Sequence, residues 1–479
     1  MNGYGGKMKV SSSSYIKKNK PLFKKLVEEL LKEYEYVSLL AQDGNGKNYS
    51  VSKSGINITS DERILVQRGF VVKVYSEGCF AEYSANTISE EEIGKIVSRI
   101  KNDLVTLEKD ADRSCYKIPE DEKVVFEKST EYEIDPDEMG DEAIVSRLKE
   151  VFEKGMAMDE RVLNCNVRAD YQKYSKLFLS KNKDMEQNVM YTTGAVMVMT
   201  LKGEEVKMGY GPFSILGGME ALKRYDDVLA STVKTAVELL DSETLTPGEY
   251  ECICDPATTG MIVHEAFGHG VEMDMFVKDR ALAKYNIGEY VASPLITMHD
   301  GPNVDDTATF FFDDEGTLCK DTVIIDKGVL VTGMSDLQSA GALGTEPTGN
   351  GRRQDYMRKA YTRMTNTYFE AGSDKLEDMI ASVKDGLFLE NPSSGMEDPK
   401  NWGIQCMVNV AREIKDGKFT GRIFSPIILT GYVPDLLKSI SMVSDEAEEC
   451  GTGFCGKGYK EWVKVSDGGP YIKARIRLG

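Results

Sequence analysis

The sequence predicts an α+β protein: α+β units at the N-terminus, followed by a C-terminal domain dominated by an antiparallel sheet that could close as a barrel. Two patterns and one number lead there. Runs of strand-like segments follow one another through short turns such as Lys327-Gly328 and Asp416-Gly417, which is the pattern of hairpins and meanders. Amphipathic stretches at helical spacing are scattered between those runs. The chain has 479 residues, too many for one ordinary core, and Thr246-Pro247-Gly248 punctuates it near the middle.

Three units follow from this reading. The first, residues 1–115, opens with a polar lead to Ser14. Leu22, Leu26, Leu30 and Tyr34 then recur at helical spacing, with Asn19 as a cap and Pro21 in the first turn. Strands are expected over 37–42, 48–53, 63–66 and 71–76, and a helix over 93–107. The second unit, residues 116–246, starts with an acidic connector, 120–142. Ile144, Leu148 and Phe152 mark a helix. A strand meander is expected over 161–171, 174–180, 185–191 and 194–201, turning at Gln172-Lys173 and at Asn182-Lys183-Asp184. Ala221, Tyr225, Val228, Val233 and Leu240 then predict a long helix. The third unit, residues 247–479, starts with a strand over 250–255, whose Cys252 and Cys254 share a face that packs into a core. Further strands are expected over 308–313, 322–326 and 329–333, and a hairpin over 407–414 and 418–423. Helices are expected over 374–384, capped by Ser373, and over 435–442.

Composition narrows the function classes. There are 59 basic and 78 acidic residues, a net charge of −19, which repels a phosphate backbone and argues against direct nucleic-acid binding. No apolar run approaches 18 residues, so no membrane span is expected. No N-terminal apolar stretch resembles a signal peptide. Nine cysteines, an odd number with no CxxC pair, point to reduced thiols and a cytoplasmic location.

The chemistry concentrates in His264-Glu265-Ala266-Phe267-Gly268-His269, which holds two of only three histidines. Imidazole is the commonest protein ligand for zinc, and a Glu beside a zinc-bound water can take its proton. The histidines are five apart rather than four. On a regular α-helix five steps turn about 500°, which leaves the rings roughly 140° apart. A π-turn, or unwinding near Gly268, would bring them together. A catalytic zinc needs about three protein ligands. The third could be His299, a carboxylate or a Cys. Cys455 is preferred, because it lies among Gly451, Gly453, Gly456 and Gly458, where backbone can approach closely.

These residues resemble the TldD/PmbA family of zinc metallopeptidases, also labelled modulators of DNA gyrase. The resemblance rests on His264-Glu265-x-x-x-His269 and the distant Gly-x-Cys-Gly-Lys at 453–457. Further matches are Phe312-Asp313-Asp314-Glu315-Gly316, Thr348 to Gln354, Arg363 to Tyr368 and Leu436 to Ile440. It covers roughly residues 250–460. It implies a TldD-like, metal-bearing member with one Zn2+ per chain on His264, His269 and Cys455, and Glu265 as the base. It also implies a homodimer, or a heterodimer with a PmbA-like subunit that lacks the metal residues. The substrate would be a peptide or an unfolded polypeptide. The chain departs from the family at Gly458-Tyr459-Lys460 and in the segment Pro392 to Pro399.

Other candidates are less specific. Arg363 and Asn366 could hydrogen-bond a substrate backbone. The loop Gly349 to Arg353 could hold a carboxylate or be structural. Asp313-Asp314-Glu315 lacks EF-hand spacing and reads as a solvated turn. In the other reading of the zinc site the protein is a binding or assembly subunit. The ion is then closed off by a fourth ligand from Glu272, Asp274 or His299.

Overall fold

The computed structural model describes residues 6–60, 67–76, 79–107, 118–302, 305–458 and 460–479. The strand expected at 63–66 lies outside them.

The N-terminal half is built on one eight-stranded sheet. Its path runs Glu205–Ile215, Lys183–Lys202, Val162–Leu179, Tyr36–Ser52, Gly69–Ser76 and Cys79–Ala85. Gly55–Ser60 adds to Tyr36–Ser52, and Val124–Ser129 runs parallel to Lys183–Lys202. Strands from 36–85 and from 162–215 therefore share a single sheet, joined by the ladder of Leu39–Val51 on Val167–Leu179. Helices cover it in two places. Ser14–Leu30 and Glu90–Leu107 bury Leu26, Leu30, Ile93 and Ile96 against Val37, Phe70 and Leu177. Pro136–Ala157 and Tyr225–Glu238 bury Ile144, Leu148 and Leu229 against Val167 and Val196.

Several local expectations are corrected. The first helix begins at Ser14, capped by Ser13 Oγ accepting from Ile16 N at 3.0 Å. Pro21 therefore lies inside the helix, and Asn19 is buried with its side chain on the Tyr15 carbonyl. Gln172-Lys173 is not a turn. Val162–Leu179 runs straight through it, because Gln172 is fully buried and accepts the Tyr191 hydroxyl across the ladder. A polar residue in a strand buried on both faces looks like a break in the pattern, yet it is satisfied by its neighbour. The acidic connector contains the strand Val124–Ser129 and the start of the helix Pro136–Ala157, capped by Asp135.

The C-terminal half is an eleven-stranded sheet that closes on itself. Gly248–Cys254 pairs parallel with Asp385–Asp398, which pairs with Gly403–Lys415, which pairs with Ile427–Tyr432. Ile427–Tyr432 then pairs with Ser466–Leu478, and that strand returns to Gly248–Cys254. The result is a ring of five strands, with only the Gly248–Cys254 and Asp385–Asp398 pair parallel. A branch leaves Ser466–Leu478 through Asn366–Phe369, Met298–Asp300 and Thr322–Asp326. The hairpin between Gly403–Lys415 and Lys418–Phe424 turns at Asp416 and Gly417, both with positive φ, as its sequence predicts. Cys252 and Cys254 are buried in the ring, where burial pushes both thiols up. All described cysteines are free.

The two halves meet at Phe312 to Gly316. The strand expected over 308–313 is replaced by irregular backbone with one bridge from Phe312 to Leu318. Gln187 Oε1 accepts from Phe311 N there, and its Nε2 donates to the Phe312 carbonyl. Asp313, Asp314 and Glu315 are 2%, 5% and 7% exposed, so they form a buried clasp rather than a solvated turn. Asp313 accepts from the backbone of Glu315, Thr317 and Gly351. Asp314 pairs with Lys176 and Glu315 with Lys73, both from the N-terminal sheet. Phe312 itself packs on Phe126 and Phe178. Among the described residues no helix is long and apolar enough to cross a membrane.

Candidate metal centre

The site grows out of the first strand of the ring. Gly248–Cys254 ends at Asp255, whose carboxylate caps the helix Pro256–Ile262 by accepting from Thr258 N at 2.7 Å. That helix is buried along its length. The next residues, Val263–Gly268, form a π-helical turn, in which His269 N donates to the His264 carbonyl five residues back. The wider turn brings together two rings that a regular helix would separate. Their centroids are 5.1 Å apart at 88°. Gly268 leaves room there for Met364, since a Cβ would lie 2.3 Å from its Sδ.

Cys455 arrives from the other end of the domain, on the small hairpin of Phe454–Lys457 and Lys460–Lys464. Its Sγ lies 3.2 Å from His264 Nε2 and 3.3 Å from His269 Nε2. These are the one group of three potential donors found close together among the described residues, all within 4.8 Å of one another. His264 is 4% exposed and Cys455 8%. Burial alone would raise the Cys455 thiol, but the two imidazoles outweigh it and hold the thiol well below its ordinary range. Burial would lower His269, but the thiolate and Glu272 together outweigh it and raise His269 well above its usual value. Two imidazoles and a thiolate are a donor set that suits zinc, and three protein donors beside an open cavity is the ligand count of a catalytic site. His264 Nδ1 is buried without a hydrogen-bond partner, with Asp467 Oδ2 3.9 Å away.

The cluster lies in the wall of a cavity of about 950 Å³, at the upper end of the range for small-molecule pockets. Glu265 also borders it, with a carboxylate oxygen 3.9 Å from His269 Nε2. The segment Asn391 to Glu397 of the strand Asp385–Asp398 also lines it, packed against the histidine turn. Met261, Met275 and Trp462 supply apolar surface. Two carboxylates here escaped the sequence reading. Asp467 faces the cavity, and burial pushes its carboxyl up to about 6. Glu397 accepts from Gly270 N at 2.8 Å, and burial raises it well above the usual range. Neither stands in a motif, and only the strand pairing brings them near the histidines.

Arg363 and Asn366, expected to hold substrate, do not border the cavity. Both are fully buried. Asn366 Nδ2 donates to the Gly301 carbonyl at 2.9 Å and to Thr309 Oγ1 at 3.2 Å. Arg363 sits behind Cys455. His299 is likewise remote from the cluster, held between Asp321 and Glu370 and stacked on Tyr368. Glu272 lies behind His269, with Oε2 3.4 Å from Nδ1, and Asp274 pairs with Lys457.

Residues 247–477 match the family model of the PmbA/TldA metallopeptidase C-terminal domain. This part of the chain is similar to the PmbA/TldA family. The family's relatives reach further. A metalloprotease of Methanocaldococcus jannaschii is 27% identical over 93% of this chain and 97% of its own length. A metalloprotease TldD homolog of Haemophilus influenzae is 33% identical over 50% of each chain. The chain thus spans half of that relative's length, and 60% of a Methanothermobacter thermautotrophicus metalloprotease. TldE from Thermococcus kodakarensis shares the fold over 95% of this chain and 99% of its own, with a TM-score of 0.75 at 16% identity.

Proposed function

We propose that the chain is a zinc-dependent peptidase of the cytoplasm that hydrolyses short or unfolded peptides, with one zinc held by His264, His269 and Cys455. The observation that carries this is the convergence of those three side chains, beside Glu265, on the wall of one open cavity. When bound, zinc supplies a Lewis acid that polarises the scissile carbonyl and acidifies water. Glu265 accepts the proton of the attacking water and returns it to the leaving amine. The strand Asp385–Asp398 supports the substrate class. It pairs with Gly248–Cys254 only up to Leu389, so from Asn391 onward its cavity-facing edge has no strand beside it among the described residues. An extended peptide can add there as a strand, held by main-chain hydrogen bonds with little regard for sequence. The test is metal analysis with a peptide-library digest of wild type and E265Q. The variant should keep its metal and lose about 10²-fold or more in rate. Unchanged turnover would defeat the assignment of the base, and a metal-free active wild type would defeat the zinc.

A further inference from the structure

Arg363 is 0% exposed and has no route to a substrate, yet it touches two parts of the cluster at once. Its Nη2 donates to Cys455 Sγ at 2.9 Å, and its Nε donates to Glu272 Oε1 at 3.1 Å. Glu272, 1% exposed, presents its other oxygen to His269 Nδ1 at 3.4 Å and to Lys457 Nζ at 3.1 Å. Nη1 donates to the Glu461 carbonyl, on the second strand of the hairpin that carries Cys455. That hairpin is a separate two-stranded sheet, not a member of the eleven-stranded one. Closure of the larger sheet brings this hairpin near the histidine turn, and side-chain bonds such as these tie Cys455 to it.

Arg363 is itself firmly seated. Its backbone N–H donates to the Asn350 carbonyl at 2.9 Å, and Asn350 Nδ2 donates back to the Arg363 carbonyl at 3.1 Å. The same Nδ2 donates to Asp300 Oδ1 at 2.6 Å, and Asp300 also accepts from Thr365 and Thr367. The motifs around Asn350 and Thr365 thus anchor the backbone that carries this guanidinium.

We propose that Arg363 is a positioning residue for the metal cluster. It fixes the Cys455 sulfur directly and His269 through Glu272, so that the two donors keep their geometry when zinc is absent. The proposal rests on the zinc reading above. Partners of metal ligands orient them, and their loss commonly weakens metal binding about 10- to 100-fold. A planar guanidinium can bridge a thiolate and a carboxylate, while an ammonium cannot span the same fork.

The test uses two variants of the full chain. R363K keeps a buried cation opposite Glu272. R363M combined with E272Q removes both charges, so that neither is left unpaired. Zinc affinity is measured by chelator competition, and cobalt(II) replaces zinc so that the sulfur-to-cobalt absorption band reports the Cys455 bond. Both variants should fold by circular dichroism, bind zinc about 10- to 100-fold more weakly and show a weakened or displaced cobalt band. Wild-type affinity with an unchanged band in R363K would overturn the proposal. So would failure of both variants to fold, which would assign Arg363 to the scaffold alone. A wild-type protein that binds no zinc would sink the metal reading and this one with it, so the wild-type arm tells the two failures apart.

Discussion

Gly395 offers a way to move the proposed base without touching the metal residues. It lies opposite Cys406 in the strand Asp385–Asp398. A Cβ built on it would sit 2.5 Å from Glu265 Cγ, 3.1 Å from Glu265 Cβ and 3.0 Å from Cys406 Sγ. Carbon atoms in contact settle at about 3.5–4.0 Å, so G395A must drive the two chains apart by roughly 1 Å. The near atoms of Glu265 belong to the stem of its side chain, and a rotation of the carboxylate alone cannot relieve the clash. A misplacement of about 1 Å at a reacting group can cost 10²-fold in rate. Overpacking of this kind typically costs about 1–3 kcal/mol of stability. The expected result is therefore kcat lowered about 10²-fold, with zinc content unchanged and a modest fall in Tm. Steady-state kinetics on a peptide, metal analysis and a thermal melt measure the three quantities. Wild-type kcat in a zinc-loaded G395A would refute the argument that Glu265 must occupy the position it has.

Four further outcomes are expected. C455A should purify without stoichiometric zinc while its melt stays cooperative, as checked by metal analysis and calorimetry. F312A should lose about 3–5 kcal/mol in urea unfolding, because Phe312 is 1% exposed between Phe126 and Phe178 at the junction of the two halves. Burial pushes Glu82 up, but Arg353 and Lys73 outweigh it and hold its carboxyl at about 2 instead of 4.5. Glu82 is exposed at the surface and solvent screens its pairs, so this stabilises the fold by about 1 kcal/mol above pH 4.5, and the contribution drains away as pH falls toward 2. The stability gap between wild type and E82Q should close over that acid range, and a gap that widens there would contradict the assignment. Last, one substrate protein offered both folded and permanently unfolded should be cut only in the unfolded form, and equal rates on gels would remove the edge-strand account of substrate binding.

Features that depend on local spacing could be read from the sequence. A spacing of five positions from His264 to His269 is incompatible with one face of a regular helix, and the chain does form a π-helical turn there. The Asp416-Gly417 turn declared its hairpin because positive φ at both positions needs such residues. Features that depend on distant partners could not be read. Gln172 looks like a turn residue until Tyr191 is placed beside it. Asp313-Asp314-Glu315 looks solvated until Lys73 and Lys176 arrive from another sheet. Arg363 stands in a motif that resembles a binding segment, and only its three-dimensional place shows that it points at a sulfur rather than at the cavity.

The closure of the five-strand ring bears on how the molecule comes into being. Gly248 pairs with Leu478, so the ladder that completes the ring joins strands from opposite ends of the domain. Closing so long a loop adds little to the free-energy cost of folding, since that cost grows only logarithmically with length, but such contacts form slowly. His264 follows shortly after one strand of this ladder, and Cys455 shortly precedes the other. A newly made chain would thus carry the two histidines and the thiol on separate lips of an open seam. Zipping Gly248–Cys254 onto Ser466–Leu478 is what brings them face to face. The ability to capture a metal would then arrive late and all at once, as a property of the finished barrel, and a partly folded chain would have no working cleavage site to turn on its neighbours.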